Sequence, residues 1–429
     1  MIIHEPETIH QDGHTLIWSV IEFAKKRENY PETLWYRVPE AYAGYLSPQS
    51  DAFLVPGLLA GMYYGEDIEV RGRVSPRLAY SLAEYQFVLH FRMPEVVSPV
   101  EIKYSHLQPS DQKPAGVGSA FSGGVDSLFT LWEHLPQNQP IPEFQVTHGL
   151  FIMGFDIRYA DKDKYKQVFL RYQRALDQIQ VGLVPLETNL VSAIIPRMTY
   201  SHFYGPILAG SAHLFAGLWK RFIIPSSRDY KQLRVWTSSS DPLSDPLLSA
   251  DTLEILHHGA THRRVEKIQE ISEWKFAQDH LRVCFKKEYD TQGLNCSRCE
   301  KCTRTMVPIY ALGKMEAFST FKKPFRTNRD GLWLARKFNP TQGYGPEFFP
   351  IVKKYKPDFL PWLTAAYLLG YLRYGLLKLI PGFIRKRLQR FGHFVDPLKE
   401  PYAFDDLAII ELIRSQLLLG DGKNDHPST

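Results

Sequence analysis

The stretch Phe121-Ser122-Gly123-Gly124-Val125-Asp126-Ser127 decides how this chain is read. Ahead of it, Val117-Gly118-Ser119-Ala120-Phe121 can form a short buried strand. Behind it, Leu128, Leu131, Trp132 and Leu135 recur at helical spacing and would pack a helix onto a sheet. Two adjacent glycines permit a tight turn and a close approach of backbone to ligand. The helix that follows presents unpaired N–H groups and the positive end of a dipole. Ser122 and Ser127 add hydroxyls. Together these features predict a cradle for an anion, such as the pyrophosphate end of a nucleotide, at a strand–loop–helix junction where open α/β sheets bind ligands. No Lys follows the glycines, so this is not the G-x4-G-K-[ST] phosphate loop.

Downstream the chain alternates strand and helix. Phe144–Met153 reads as a second strand closed by Gly154-Phe155-Asp156. Asp161 is placed to cap a helix running to Ile179, and Gly182–Glu187 reads as a third strand. His202-Phe203-Tyr204-Gly205 opens a helix of small residues, Pro206–Leu218. Arg221–Pro225 reads as a fourth strand followed by Ser226-Ser227. This rhythm argues a parallel, doubly wound α/β sheet with ligands beyond the C-terminal ends of the strands. The turn-rich loop Ser239–Leu247 precedes a segment, Ala250–His258, read as a helix. His257, His258 and His262 would then sit at its C-terminal end, where the dipole favours them. Asp245 is the carboxylate candidate in that loop, and His202 and Tyr204 are substrate-side candidates.

The four cysteines lie within one window. Cys296, Cys299 and Cys302 form C-x2-C-x2-C, and Cys284 precedes them. Four thiolates so close have the composition of a tetrahedral structural Zn²⁺ site. An iron–sulfur cluster, disulfides or persulfide chemistry would use the same residues. Arg298, Lys301 and Arg304 would offset the charge of a Zn–Cys₄ centre. Either Lys301 or Arg304 could instead reach a phosphate.

Residues 122–127 resemble the Ser-Gly-Gly-x-Asp-Ser hallmark of the PP-loop ATP pyrophosphatase superfamily. That resemblance implies ATP cleavage to AMP and pyrophosphate, with a carboxylate or amide-like oxygen activated for attack by nitrogen or sulfur. Phe121, Ser122, Gly123, Gly124, Val125, Asp126 and Ser127 would hold the pyrophosphate portion of ATP. Ser122, Asp126 and Ser127 would act in the chemistry, Asp126 through Mg²⁺, since metal ions neutralise charge on a transferring phosphate. Met153, Gly154 and Asp156 would lie near adenine or ribose. A PP-loop followed by such cysteines is similar to the 7-cyano-7-deazaguanine synthase family, whose cysteines bind zinc. The gap after Cys284 is longer here, and the resemblance covers only residues 116–312. Queuosine-synthase-like proteins of this enlarged size occur in bacterial antiphage operons, which implies protein partners. Two enzymatic relatives remain open, a tRNA thiolase and an asparagine-synthetase-type amide ligase, beside a nucleotide-binding scaffold without turnover.

Composition sets outer bounds. The chain has 429 residues, 44% hydrophobic and 23% charged, with a net charge of +5. That is ample apolar content for a core, and the modest charge does not by itself imply nucleic-acid binding. Clustered cysteines and no recognisable secretory signal predict a cytoplasmic protein. Residues 1–110 read as a separate α+β module, with strands at Thr33–Val38, Asp67–Arg71 and Pro99–Tyr104. Its helices fall at Asp51–Met62, capped by Ser50, and at Ser75–Arg92. The PP-loop domain spans 116–315, and a basic helical extension spans 320–420. Residues 351–400 hold ten Lys or Arg against three Asp or Glu. Arg373 and Lys378 interrupt the apolar run Leu360–Ile380, which argues against a membrane span. Residues 384–391 and the helical pattern at 407–419 could face a membrane surface, nucleic acid or a partner.

Overall fold

The computed structural model describes residues 1–27, 30–155, 157, 161–191, 198, 200–235, 238–284, 294–337 and 345–379. The chain begins with β1 (Ile2–Ile3), β2 (Glu7–Gln11), β3 (His14–Glu22) and β4 (Thr33–Pro39). Asp12-Gly13 links β2 to β3 with φ of 51° and 70°, the left-handed pair that a two-residue hairpin turn requires. Next come α1 (Asp51–Tyr64), β5 (Ile68–Val74), α2 (Pro76–Arg92) and β6 (Ile102–Leu107). Ser50 and Ser75 stand at the two N-caps without a side-chain cap bond. Pro76 takes the first turn of α2, where its missing N–H costs nothing.

From residue 116 the expected alternation follows: β7 (Gly116–Ala120), α3 (Val125–Glu133), β8 (His148–Met153), α4 (Lys162–Asp177), β9 (Gly182–Thr188), α5 (Tyr200–Leu214), β10 (Trp219–Pro225) and α6 (Tyr230–Val235). The segment read as a helix at 250–258 is instead β11 (Glu254–His258), parallel to β10 from Arg221↔Glu254 to Pro225↔His258. Residues 251–253 turn the chain, and the Ser249 hydroxyl accepts the Ile255 N–H, so extended pairing wins over helical spacing. Beyond β11 lie α7 (Arg264–Ile271), α8 (Lys275–His280), α9 (Glu300–Ala311), α10 (Trp333–Lys337), α11 (Phe348–Tyr355) and α12 (Leu360–Leu379). Residues 384–391 and 407–419 lie outside the described residues, as does Asp156.

The structure is α/β with one large, mostly parallel open sheet. Its order is β11-β10-β7-β8-β9-β4-β3-β1-β5-β6, with β2 on β3. The five strands β11 to β9 are mutually parallel. Strand order reverses at β7, whose neighbours are β8 and β10. Such a reversal opens a crevice at the C-terminal edge. The first 110 residues share this sheet. β4 pairs antiparallel with β9 at Tyr36↔Thr188 and Arg37↔Glu187. Asn189 Oδ1 accepts the Trp35 N–H, and Thr188 Oγ1 donates to the Trp35 carbonyl.

Two cores form, one on each face. Ile223 joins Leu128, Phe129, Val265 and Ile268 of α3 and α7, whereas Phe222 and Ile224 join Leu58 of α1, Leu208 of α5 and Phe215 just beyond it. This alternation along one strand, with apolar side chains on both faces, is the signature of a buried parallel strand.

Candidate functional site

The Ser122–Ser127 loop sits at the C-terminal end of β7, at the reversal in strand order. Gly123 has φ of +72°, and a Cβ there would lie 1.8 Å from the Tyr172 hydroxyl, so only glycine fits. Internal bonds shape the turn. Ser122 Oγ accepts the Gly124 N–H at 3.3 Å and lies 3.4 Å from Ser127 Oγ, which donates to the Gly124 carbonyl at 3.1 Å. Arg282 staples the loop from outside: its backbone N–H donates to Gly123 O at 2.7 Å, and its guanidinium donates to Ser122 O at 3.0 and 3.2 Å. The first α3 backbone bond runs from Leu128 N to Gly124 O. The N–H groups of Val125, Asp126 and Ser127 therefore open the helix ahead of its hydrogen-bond ladder, where anions bind.

The charges around the loop are mostly positive. Asp126, in the first turn of α3, accepts from Arg264 Nη1 at 2.9 Å and from Lys267 Nζ at 3.2 Å. Lys267 is 1% exposed and also donates to the Ser226 carbonyl at the end of β10. Burial pushes the Asp126 carboxyl up, but Lys267, Arg264 and Arg304 outweigh it and hold the group below the ordinary carboxylate value. Burial drives both Lys267 and Arg264 down, opposed by Asp126. Arg304, one of the three cations named beside the cysteines, thus acts on the loop carboxylate. Glu347, just before α11, is buried, and its Oε2 has no hydrogen-bond partner among the described residues. Burial lifts its pKa to about 7 against the pull of Arg264, Arg304 and Arg263.

Met153 is buried at the end of β8 and lines a cavity of about 260 Å³ with Arg37, Lys162, Tyr165 and Glu187. Gly154 follows with φ of +103°.

A second polar cluster lies on the other side of β10. The His257 ring and the Ser240 hydroxyl both bind Asp245 Oδ2, each at 2.7 Å. Asp245 is fully buried, and its burial raises its pKa against the lowering effects of His257 and Ser240. Asp245 Oδ1, His257 Nε2 and the Tyr85 hydroxyl have no hydrogen-bond partners among the described residues. Tyr85 is contributed by α2, and Arg92 at the end of α2 pairs with Asp241 at 3.2 Å. Tyr204 joins this side through the Ser227 and Ser238 hydroxyls, at 3.3 and 3.2 Å. His202 is half-buried, and burial together with Arg228 lowers its pKa. His257 and His258 occupy a strand end, not a helix end, and point to opposite faces. His258 bonds Glu133 at 2.8 Å and Thr130 at 3.0 Å.

The four cysteines converge as free thiols, and their sulfurs all lie within 4.8 Å of one another. Three of the separations are 3.2 Å (Cys284–Cys299), 3.5 Å (Cys284–Cys296) and 3.9 Å (Cys296–Cys302). A tetrahedral zinc with Zn–S bonds of 2.3 Å sets its sulfurs about 3.8 Å apart. Cys296 Sγ accepts N–H bonds from Arg298 and Cys299, and Cys299 Sγ accepts one from Cys302. Ser297 supplies the left-handed residue, φ 61°, that curls the backbone around the sulfur. The cluster could hold a metal such as zinc.

Sequence reasoning missed Arg264, Lys267, Arg282 and Tyr172. For Lys267 a signal existed. It falls at helical spacing with Ile268 and Ile271 on the buried side of α7, where a lysine needs a carboxylate partner. Arg282 carried none, because its role depends on a turn that brings residue 282 back to residue 122.

No protein-family model, no curated protein and no solved structure matches this chain.

Proposed function

We propose that the chain is an AMP-forming, ATP-dependent enzyme, with the Ser122–Ser127 loop holding the pyrophosphate end of ATP. The observation that carries this reading is the convergence of Lys267 and Arg264 on Asp126 beside a glycine turn at a helix N-terminus. Fixed N–H groups and buried cations stabilise the charge of a departing pyrophosphate without reorganisation. A carboxylate or amide oxygen of the substrate would attack the α-phosphorus, and the bond to the β-phosphate oxygen would break. A nitrogen nucleophile would then attack the activated carbon and expel AMP. Mg²⁺, where bound, would neutralise the phosphates. The cavity beside Met153 is the space proposed for the nucleoside end, and the Asp245–His257 side for the acceptor substrate. The same reading takes the sheet as doubly wound, the four cysteines as a structural zinc site, and the protein as cytoplasmic.

The test is product analysis with α-labelled ATP, Mg²⁺ and a panel of carboxylates and amides including carboxy-deazaguanine. AMP plus pyrophosphate, lost in Lys267→Ala and in Ser122→Ala, supports the reading. ADP plus phosphate overturns it. Tight binding with no turnover across the panel would favour a nucleotide-sensing scaffold.

A further inference from the structure

The cluster around Asp245 leaves three buried polar atoms open. Asp245 is 0% exposed, Tyr85 1% and the His257 side chain 2%. Asp245 Oδ1, His257 Nε2 and the Tyr85 hydroxyl find no hydrogen-bond partner among the described residues. Buried polar groups are costly to leave unpaired, so three in one cluster point to a ligand that satisfies them.

Their chemistry selects the ligand. The other oxygen of the carboxylate, Asp245 Oδ2, accepts the Ser240 hydroxyl and meets His257 Nδ1, each at 2.7 Å. With the ring N–H spent on that carboxylate, Nε2 carries a lone pair. Oδ1 and Nε2 are therefore both acceptors, and the Tyr85 hydroxyl can donate or accept. An anion would meet the Asp245 carboxylate. An amine supplies the N–H donors that two acceptors need.

The cluster also adjoins the Ser122–Ser127 loop. His257 pairs with Ile224 near the C-terminal end of β10. Just beyond that end, the Ser226 carbonyl accepts from Lys267, the partner of Asp126. The next residue, Ser227, meets the Tyr204 hydroxyl, which also meets Ser238. One strand end thus touches both sides. Tyr85 arrives from α2, which packs on residues 245–248. Burial, then the charges of Asp245 and Asp241, push its hydroxyl well up.

We propose that Asp245, His257 and Tyr85 hold the nitrogen nucleophile as an N–H donor, with His257 Nε2 taking its proton. The proposal rests on the adenylating reading and makes the acceptor on this side an amine. The nitrogen bonds the activated carbon. The carbon–oxygen bond to AMP breaks, and its electron pair stays on the phosphate oxygen. The proton leaves the nitrogen for His257 Nε2, and Asp245 balances the imidazolium charge.

The test separates the two half-reactions in the full chain, using the carboxylates of the same panel. Exchange of labelled pyrophosphate into ATP reads adenylation, and amide formation from ammonium chloride reads the second step. His257→Gln should lose at least about 100-fold in amide formation beyond any loss in exchange. Hydroxylamine is a neutral amine at neutral pH and needs no base, so hydroxamate formation by this variant should return to within about tenfold of wild type. Tyr85→Phe should raise the KM for ammonium about tenfold without lowering the melting temperature, because the hydroxyl it removes has no protein partner to lose. A wild type without exchange overturns the adenylating reading, and this proposal with it. Exchange in the wild type with equal losses in both half-reactions of His257→Gln, or no rescue by hydroxylamine, overturns this proposal alone. A fall in the melting temperature of Tyr85→Phe at unchanged KM removes Tyr85 from the site.

Discussion

Asp126 and Asp245 stand on either side of β10 at the same sheet edge and are treated in opposite ways. Asp126 meets a lysine and an arginine and is held below its ordinary pKa. Asp245 meets a histidine and a serine, and burial raises it. The first side, rich in cations, is the one proposed to hold an anion. The other is a buried polar cluster in which Asp245 Oδ1, His257 Nε2 and the Tyr85 hydroxyl have no hydrogen-bond partner among the described residues, and it is the side proposed for the acceptor.

The comparison breaks most severely if the cysteine centre is emptied. Structural zinc contributes on the order of 10 kcal/mol to the folding of small domains, and Arg282 staples the Ser122–Ser127 loop only two residues before Cys284. Metal analysis should find one zinc per chain. Chelation should speed amide exchange at residues 122–127 while leaving 239–249 protected. Equal protection before and after would disconnect the two.

Next in size is Lys267→Met. Removing one partner of a buried pair costs roughly 3–5 kcal/mol. Adding Asp126→Asn should recover a large part of that loss in urea denaturation, and strict additivity of the two changes would contradict the pairing.

Glu347 sharpens the comparison, because it is a raised carboxyl on the cationic side. Its folded pKa of about 7 exceeds the ordinary 4.5, so the native state holds its proton more tightly than the unfolded chain. Its contribution is favourable below pH 4.5 and is lost as pH rises through 7. Glu347→Gln should therefore raise stability progressively across that window, by up to about 3 kcal/mol above it. A flat difference would show that the residue ionises normally.

The smallest expected effects are the opposed pH trends of two isosteric variants. Asp126 stabilises the fold above its unfolded pKa, and this is lost as pH falls through its lower folded value. Asp126→Asn should thus cost stability at neutral pH and progressively less in acid. Asp245 has the raised value, so Asp245→Asn should become relatively more favourable as pH rises above 3.8. Parallel trends in thermal melts would erase the contrast.

The sequence exposed one half of this edge better than the other. The Ser122–Ser127 motif, the strands from β7 to β10 and the four-cysteine group are local patterns, each contained in a short window. The cations on Asp126 are not local, because they arrive from a helix about 140 residues away. The Asp245–His257 bond went unread because His257 was assigned to a helix end. Asp12-Gly13 between alternating segments was a legible hairpin signal that went unread. The join of β4 to β9 lies in register and tertiary contact, which neither strand's own pattern encodes.

The most direct test is equilibrium binding of Mg²⁺–ATP and of pyrophosphate to three proteins: wild type, Gly123→Ala and Asp245→Asn. The alanine Cβ would strike the Tyr172 hydroxyl and fill the cradle. Both ligands should bind the wild type and Asp245→Asn alike and lose about 100-fold, ~2.7 kcal/mol, in Gly123→Ala. Undiminished binding to Gly123→Ala, or a loss confined to Asp245→Asn, would contradict the assignment of the anion site to this loop.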